Sequence, residues 1–208
     1  YEDPAVFEQT HIVRHDPVFL DVNIDASGSM LSDWERVLWL MTTLASASKW
    51  TPKLDVRIAL RGTGDHNNDA QLAIVFDSRI NSIADIQTVF PKLRPSGSTP
   101  EGLAYAAMLR TELGPVPGKR QFFLSIGDGM PGMWSPDANK NYGGPTAVEH
   151  TRKIVNRMKS FSRVLGYYIG DGQYFQSFQT MNGRDAVQIS SNDLGTIITT
   201  LNRLFLES

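Results

Sequence analysis

Six short apolar runs alternate with longer amphipathic stretches, and this alternation restricts the fold to a sheet covered by helices. The predicted strands are 17–24, 54–61, 71–76, 121–126, 163–169 and 186–189. The predicted helices are 32–48, 82–90, 99–112, 146–160 and 192–206. Ser32 with Glu35, and Thr146 with Glu149, have the spacing of a capping box. We therefore expect a Rossmann-like, doubly wound α/β fold with a mostly parallel six-stranded sheet.

The connection between the second and third predicted strands is short and rich in turn residues, GTGDHNND at 62–69. Such a connection predicts an antiparallel hairpin, so one edge strand should run against the others. His66 in this turn fits either a second ion or a solvated hairpin tip, and the composition favours the tip. Because no linker or repeat divides the chain, we expect an N-terminal extension over 1–15 and one domain over 16–208.

Composition excludes several classes of function. A net charge of -2 and a pI near 6.1 argue against bulk attraction to nucleic acid or to an acidic membrane. The chain has no cysteine, which excludes disulfides and thiolate metal sites and favours a reducing compartment. We therefore expect a cytoplasmic protein with neither a nucleic-acid nor a membrane partner.

The first apolar run ends abruptly in VFLDVNIDASGSM at 18–30. In open parallel sheets, ligands bind beyond the carboxyl ends of the strands, and Asp25, Ser27 and Ser29 follow such an end. Their hard oxygens suit Mg²⁺ or Mn²⁺, and further oxygens are expected from PSGSTPEG at 95–102 and SIGDGMP at 125–131. Taken alone, Asp-x-Ser-x-Ser is more often a helix cap or a turn than a metal site.

Three motifs together resemble the metal-ion-dependent adhesion site (MIDAS) of von Willebrand factor A (vWA) domains. They are Asp-x-Ser-x-Ser after the first strand, a threonine in Gly-Ser-Thr-Pro before a helix, and an aspartate in Gly-Asp-Gly after the fourth strand. The resemblance extends over about 16–206 and implies a metal set of Asp25, Ser27, Ser29, Thr99 and Asp128. It also implies an open metal position that accepts a carboxylate from a partner protein. Neutral hydroxyl ligands leave the ion's charge unquenched, which suits such docking.

The second half of the chain is similar to the vWA domain of cobaltochelatase CobT-type subunits. The likeness rests on RQFFLSIGDGMPG, NYGG, EHTRKIVNRMKS and the ending AVQISSNDLGTIITTLNRLFLES. It implies a subunit that works beside an AAA+ ATPase, in a chelatase-like complex of cobalamin biosynthesis or in a remodelling complex, with ATP hydrolysed in the partner. Asp21 and Asn23 depart from the family, because they place polar groups on a strand that is apolar there.

The sequence lacks the motifs of several enzyme classes. It has no Asp-x-Asp pair of phosphoaspartate phosphatases, no phosphate-binding loop and no Gly-x-Ser-x-Gly nucleophile elbow. We therefore expect a protein-binding module without intrinsic catalysis. Two alternatives are an extracellular adhesion-type vWA domain, which would bind a ligand carboxylate through the metal, and a metal-dependent hydrolase, for which no general base stands out.

The long connection at 129–145, GMPGMWSPDANKNYGGP, follows the last metal motif. Its aromatic residues and methionines suit a partner-binding surface, and a loop that folds back on its own sheet is the alternative. The candidate contact residues are Met130, Met133, Trp134 and Tyr142.

Other polar residues have simpler interpretations. Asp171, between Gly170 and Gly172, is interpreted as part of a tight turn. Three further histidines lack partners at metal-ligand spacing: His11, His15 and His150.

Overall fold

The computed structural model describes residues 16–63, 70–111, 114–133 and 141–206. Their strands are β1 (Val18–Asp25), β2 (Leu54–Gly62), β3 (Gln71–Asp77), β4 (Arg120–Gly127), β5 (Gly132–Met133), β6 (Tyr142–Gly143), β7 (Arg163–Ile169) and β8 (Val187–Ile189). Six of them form one sheet in the order β3-β2-β1-β4-β7-β8, and β5 pairs with β6 separately. Only β3 runs antiparallel in the large sheet. The predicted doubly wound α/β fold with one antiparallel edge strand is confirmed.

Helices cover both faces of the sheet. They are α1 (Trp34–Trp50), α2 (Ile83–Val89), α3 (Glu101–Thr111), α4 (Gly144–Met158), α5 (Phe175–Asn182) and α6 (Gly195–Leu206). The sequence predicted five of these and missed α5, a helix of 8 residues without a side-chain cap. Among the helices of the described residues, none combines the length and the apolar character needed to cross a bilayer.

Both predicted capping boxes are wrong. A 3-10 turn at Gly28–Asp33 precedes α1 and contains Ser32, so this serine lies inside helical backbone and not at the helix start. Helix α4 begins at Gly144, which places Thr146 within its first turn. A capping box does form at α2, between Ser82 and Asp85.

The two faces of the sheet differ in polarity because side chains alternate along each strand. On one face, Val22 and Ile24 of β1 join an apolar core with α1 and α6. On the other face, Asp21 and Asn23 are buried, and the Asn23 side-chain amide donates to Met108 Sδ of α3 at 3.0 Å, within a smaller apolar cluster. The parallel register places Asp21 beside Arg57 and Asp25 beside Arg61. The polar residues that depart from the vWA pattern therefore meet buried arginines of β2.

Helix α5 packs closely on β7 because Gly166 has no side chain. A Cβ added at Gly166 would lie 2.8 Å from the Asn182 Cβ and 3.0 Å from Phe178 Cε1. We expect Gly166→Ala to lower the free energy of unfolding by about 1–3 kcal/mol, measured by urea denaturation, because overpacking strains a close contact. Gly114→Ala is the control, since a Cβ there meets nothing within 4 Å. Equal stability of the two variants would contradict this packing.

Candidate metal centre

Two aspartates lie where the strand order of the sheet reverses. The sheet continues from β1 to β2 on one side and from β1 to β4 on the other. Asp25 is the last residue of β1, and Asp128 directly follows β4. Ligands of open α/β sheets bind at the carboxyl ends of the strands beside such a reversal. The topology therefore brings two carboxylates, 103 positions apart in sequence, to the expected place for a site.

Hydrogen bonds connect the first loop with the loop after β4. The Ser27 backbone N–H donates to Asp25 Oδ1 at 2.8 Å, which turns the chain back over the strand end. The Ser27 and Ser29 hydroxyl oxygens are 3.1 Å apart. The Ser29 hydroxyl donates to Asp128 Oδ1 at 2.9 Å. These four side chains therefore form one continuous group of oxygens.

The loop before α3 brings Thr99 to the same place. Thr99 and Gly132 exchange two backbone hydrogen bonds, of 2.9 and 2.8 Å, as an isolated antiparallel bridge. A Cβ added at Gly129 would lie 3.8 Å from Thr99 Oγ1, so this hydroxyl faces the residue after Asp128. Thr99 is thereby held beside the loop that carries Asp128.

The first and second loops are also joined through their backbones. The Ser96 N–H donates to Ala26 O at 2.8 Å, and the Gly28 N–H donates to Gly97 O at 3.0 Å. The five residues predicted from sequence thus come from three loops that contact each other at one rim of the sheet.

One side of this group of oxygens is buried in the domain, and the other side reaches solvent. Asp25 is completely buried, Ser27 is 2% exposed and Thr99 is 7% exposed. Ser29 is exposed and Asp128 is half-buried. A ligand from solvent would therefore approach past Ser29 and Asp128.

The electrostatics of the rim favour a cation. Burial, and then the negative charge of Asp25, raise the pKa of Asp128 to about 6, against the hydrogen bond from Ser29. The other oxygen of Asp25, Oδ2, is buried and accepts no hydrogen bond from the described residues. Its closest salt-bridge partner is Arg61 Nη2, at 4.0 Å. Two neighbouring carboxylates therefore share a partly buried site, and one buried oxygen has no donor within the described part of the chain.

The donor set fits a small hard cation. It offers two carboxylates and three hydroxyls, the ligand types that Mg²⁺ and Mn²⁺ prefer. Adjacent oxygens around an octahedral Mg²⁺ lie about 3 Å apart, since each is about 2.1 Å from the ion. The separations of 3.1 and 2.9 Å are hydrogen-bond lengths, and a spacing of that size is compatible with binding one ion. Within the described ranges no group of three His, Cys, Asp or Glu residues is placed to bind a metal, so hydroxyls supply much of this donor set.

A buried polar network below the rim was not predicted from sequence. Glu101 accepts hydrogen bonds from Arg61 Nη2 at 3.0 Å and from the Tyr105 hydroxyl at 2.8 Å. Tyr105 also lies 2.6 Å from the hydroxyl of Ser125. Burial raises the pKa of Glu101, and the charge of Arg61 opposes that rise. The sequence signal was the spacing of Arg57 and Arg61, which puts both on one face of β2.

The candidate partner-binding residues lie close to the rim, and the described ones make internal contacts. Met130 packs against the cluster that contains Tyr168 and Phe178. Met133 pairs with Tyr142 between β5 and β6, and the Tyr142 hydroxyl is 3.0 Å from His150 Nδ1. Trp134 lies outside the described residues, as do His11, His15 and His66.

Asp171 lies beyond the end of β7, at the same edge of the sheet as the rim. Its carboxylate accepts a hydrogen bond from the Gln173 N–H at 3.0 Å, as expected in a turn.

No family model matches the chain, and no curated protein is significantly similar to it. Among solved structures, the pilus adhesin SpaC from Lactobacillus rhamnosus GG superposes with a TM-score of 0.64 at 13% identity, over 92% of this chain and 30% of the adhesin. Proximal thread matrix protein 1 from the mussel byssus, with a zinc-occupied MIDAS motif, gives 0.65 at 14% identity, over 92% and 46%. The SpRpn10 VWA domain gives 0.56 at 16% identity, over 86% and 94%.

These similarities establish the fold of the chain. Structures named as vWA domains superpose on most of it, so the chain has the vWA fold. It spans less than half the length of SpaC and of the byssus matrix protein.

Proposed function

We propose that this chain is a protein-binding domain in which Asp25, Ser27, Ser29, Thr99 and Asp128 hold Mg²⁺ or Mn²⁺. The bound ion would supply positive charge and an open position for an acidic side chain of a partner protein. One observation carries the proposal: the Ser27 hydroxyl is 3.1 Å from the Ser29 hydroxyl, which is 2.9 Å from Asp128 Oδ1, and beside them the buried Asp25 Oδ2 has no hydrogen-bond donor among the described residues. Such an arrangement concentrates negative charge in a partly buried place, and a divalent ion would neutralise it.

The surroundings of the group suit binding better than catalysis. The side-chain hydroxyls of Ser27 and Ser29 bond to each other, the Ser29 hydroxyl also donates to Asp128, and the Ser27 N–H donates to Asp25. Leu31, two residues after Ser29 in the same 3-10 turn, is 64% exposed. Interfaces combine polar contacts with apolar anchors, so Leu31 would contact the partner beside the ion. The loop residues Met130, Met133, Trp134 and Tyr142 would extend this contact surface.

The choice of Mg²⁺ or Mn²⁺ follows from the hard oxygen donors. The byssus matrix protein carries zinc in its MIDAS motif, which makes Zn²⁺ the appropriate comparison ion. Zinc generally prefers nitrogen and sulfur ligands. This set of oxygens should therefore not give Zn²⁺ the advantage in affinity over Mg²⁺ and Mn²⁺ that it has at sites with such ligands.

We expect Mg²⁺ or Mn²⁺ to stabilise the domain. An ion that binds only the folded state adds RT ln(1 + [L]/Kd), which is about 2.7 kcal/mol at a hundredfold excess over Kd. For a chain of this length, this corresponds to an increase in melting temperature of about 5–10 °C. Thermal melts in EDTA and in increasing metal measure it. Identical midpoints at every concentration, together with no Mn²⁺ binding by electron paramagnetic resonance, would reject the metal site.

For the partner, we propose an AAA+ ATPase in a cytoplasmic, chelatase-like or remodelling complex. The support is the sequence resemblance to CobT-type subunits, which includes the β4 motif and α4. The chain would then be a subunit that hydrolyses no ATP itself.

An adhesion role outside the cell is the second candidate, and the likeness to the pilus adhesin SpaC favours it. The two candidates differ in genetic context. An adjacent gene for an AAA+ ATPase supports the first, and an upstream secretion signal supports the second.

A further inference from the structure

Arg61 is buried directly below the rim and donates hydrogen bonds to residues of the strands and the helix that carry the rim loops. Its Nη1 donates to the Asn23 carbonyl at 3.0 Å and to Asn23 Oδ1 at 2.8 Å. Its Nη2 donates to the Ile126 carbonyl at 3.0 Å and to Glu101 Oε1 at 3.0 Å. The side chain is completely buried. One guanidinium therefore joins β1, β4 and the start of α3.

Each of these acceptors lies two positions from a proposed metal ligand. Asn23 precedes Asp25, Ile126 precedes Asp128, and Glu101 follows Thr99. The Arg61 backbone adds a further link, because its carbonyl accepts a hydrogen bond from Ala26 N–H at 2.8 Å. The same residue thus holds the bases of all three loops.

The shape of the rim accommodates this guanidinium. A Cβ added at Gly127 would lie 2.6 Å from Arg61 Nη2 and 3.3 Å from the Asp25 Cβ. Glycine at this position lets the arginine reach below both strand ends. Lysine has a single ammonium group and lacks the rigid fork that bonds to several separated acceptors at once.

The charge of Arg61 also acts on Asp25, one of the proposed metal ligands. Its Nη2 is 4.0 Å from Asp25 Oδ2, within the range of an ion pair and beyond that of a hydrogen bond. Arg61 therefore offsets the negative charge of Asp25 without donating a hydrogen bond to this oxygen.

We propose that Arg61 is a positioning residue that assembles the three loops before any metal binds. The effect of Arg61 on metal affinity rests on the proposed function, whereas its role in assembling the loops does not. A preassembled site binds its ion without a cost for ordering the loops.

The test compares Arg61→Lys with Arg57→Lys as its matched control. Arg57 lies four positions earlier on the same face of β2, is equally buried, and pairs with Asp21 away from the rim. In EDTA, we expect rim amides of Arg61→Lys to exchange hydrogen at least about tenfold faster than those of the parent, a loss of about 1.4 kcal/mol of local protection. The amides to follow are Ala26, Ser27, Gly28, Ser96, Thr99 and Gly132.

The second readout is Mn²⁺ affinity. We expect it to fall about 10- to 100-fold in Arg61→Lys, as for other residues that orient metal ligands, and to stay unchanged in Arg57→Lys. Because lysine keeps the positive charge, this loss would report positioning and not charge.

Rim amides that exchange at the parental rate in Arg61→Lys overturn the inference. Equal loosening of the rim in Arg57→Lys also overturns it, since the effect would then be general destabilisation. If the parent itself binds no Mn²⁺, the proposed function fails and amide exchange alone decides the role of Arg61. Should Arg61→Lys not fold, Gly127→Ala displaces the same guanidinium, and unchanged rim exchange there contradicts the inference.

Discussion

Asp128→Asn is expected to lower Mn²⁺ affinity at least about 100-fold and to leave the metal-free domain as stable as the parent, or more stable. Removing one charged partner from a buried ion pair costs about 3–5 kcal/mol, which corresponds to this loss of affinity. In the metal-free domain, the carboxylate of Asp128 is unfavourable. Burial and the charge of Asp25 raise the pKa of Asp128 to about 6, so its ionised form destabilises the metal-free fold above that pH. Asparagine removes that charge.

Mn²⁺ titration and urea denaturation in EDTA at pH 7 measure the two effects. Asp171→Asn is the matched control, because it neutralises another aspartate at the carboxyl end of a strand and should change neither quantity. The partner, once identified, should bind the parent only in the presence of metal and should not bind Asp128→Asn. Full Mn²⁺ affinity in Asp128→Asn, or its loss in Asp171→Asn, would show that the ligand set is misassigned.

Asp21→Ala is expected to lower the free energy of unfolding by about 3–5 kcal/mol, the cost of removing one member of a buried ion pair. The Arg57 Nη2 is 2.5 Å from Asp21 Oδ2, and the exposed fraction of each side chain is 2%. Burial raises the pKa of Asp21 in spite of the Arg57 charge, so desolvation outweighs the attraction. Urea denaturation measures the loss. Asp55→Ala is the control, since the Lys119–Asp55 pair is partly exposed and should contribute about 1 kcal/mol or less.

A double variant distinguishes the pair's contribution from the penalty for breaking it. We expect Asp21→Leu with Arg57→Met to recover most of the stability, because apolar replacements of buried ion pairs are often neutral or stabilising. A double variant as unstable as Asp21→Ala would mean that the ion pair itself stabilises the sheet.

The β2–β3 hairpin and the mostly parallel sheet were predictable because both depend on local signals. Turn residues between two apolar runs indicate a hairpin, and amphipathic segments between strands indicate crossovers. Helix α5 was missed because FQSFQTMN is short and has no cap, and it is stabilised by the packing of Phe178 and Met181. The cap predicted at Ser32 is wrong because the helical turn Gly28–Asp33, whose Met30 is buried in the core, precedes α1.

The candidate metal ligands were named from sequence patterns, whereas the buried residues that hold their loops were not. Asp25, Ser27 and Ser29 share one loop, and their spacing with Thr99 and Asp128 follows a pattern readable in order along the chain. The contact of Arg61 with Glu101 spans 40 positions, and that with Ile126 spans 65. Local sequence patterns do not predict contacts between residues so far apart in the chain.

Local sequence patterns predict the alternation of strands and helices, the strand ends and the oxygen-bearing loops, because each depends on residues close together in the chain. They do not predict that β1 lies between β2 and β4, a placement that brings Asp25 to Asp128. The tertiary structure also decided that the polar residues of β1 lie beside the arginines of β2. The physical reason is that burying a charge costs free energy unless a partner is present, and the partner is supplied by strand order and register, which short-range periodicity does not encode.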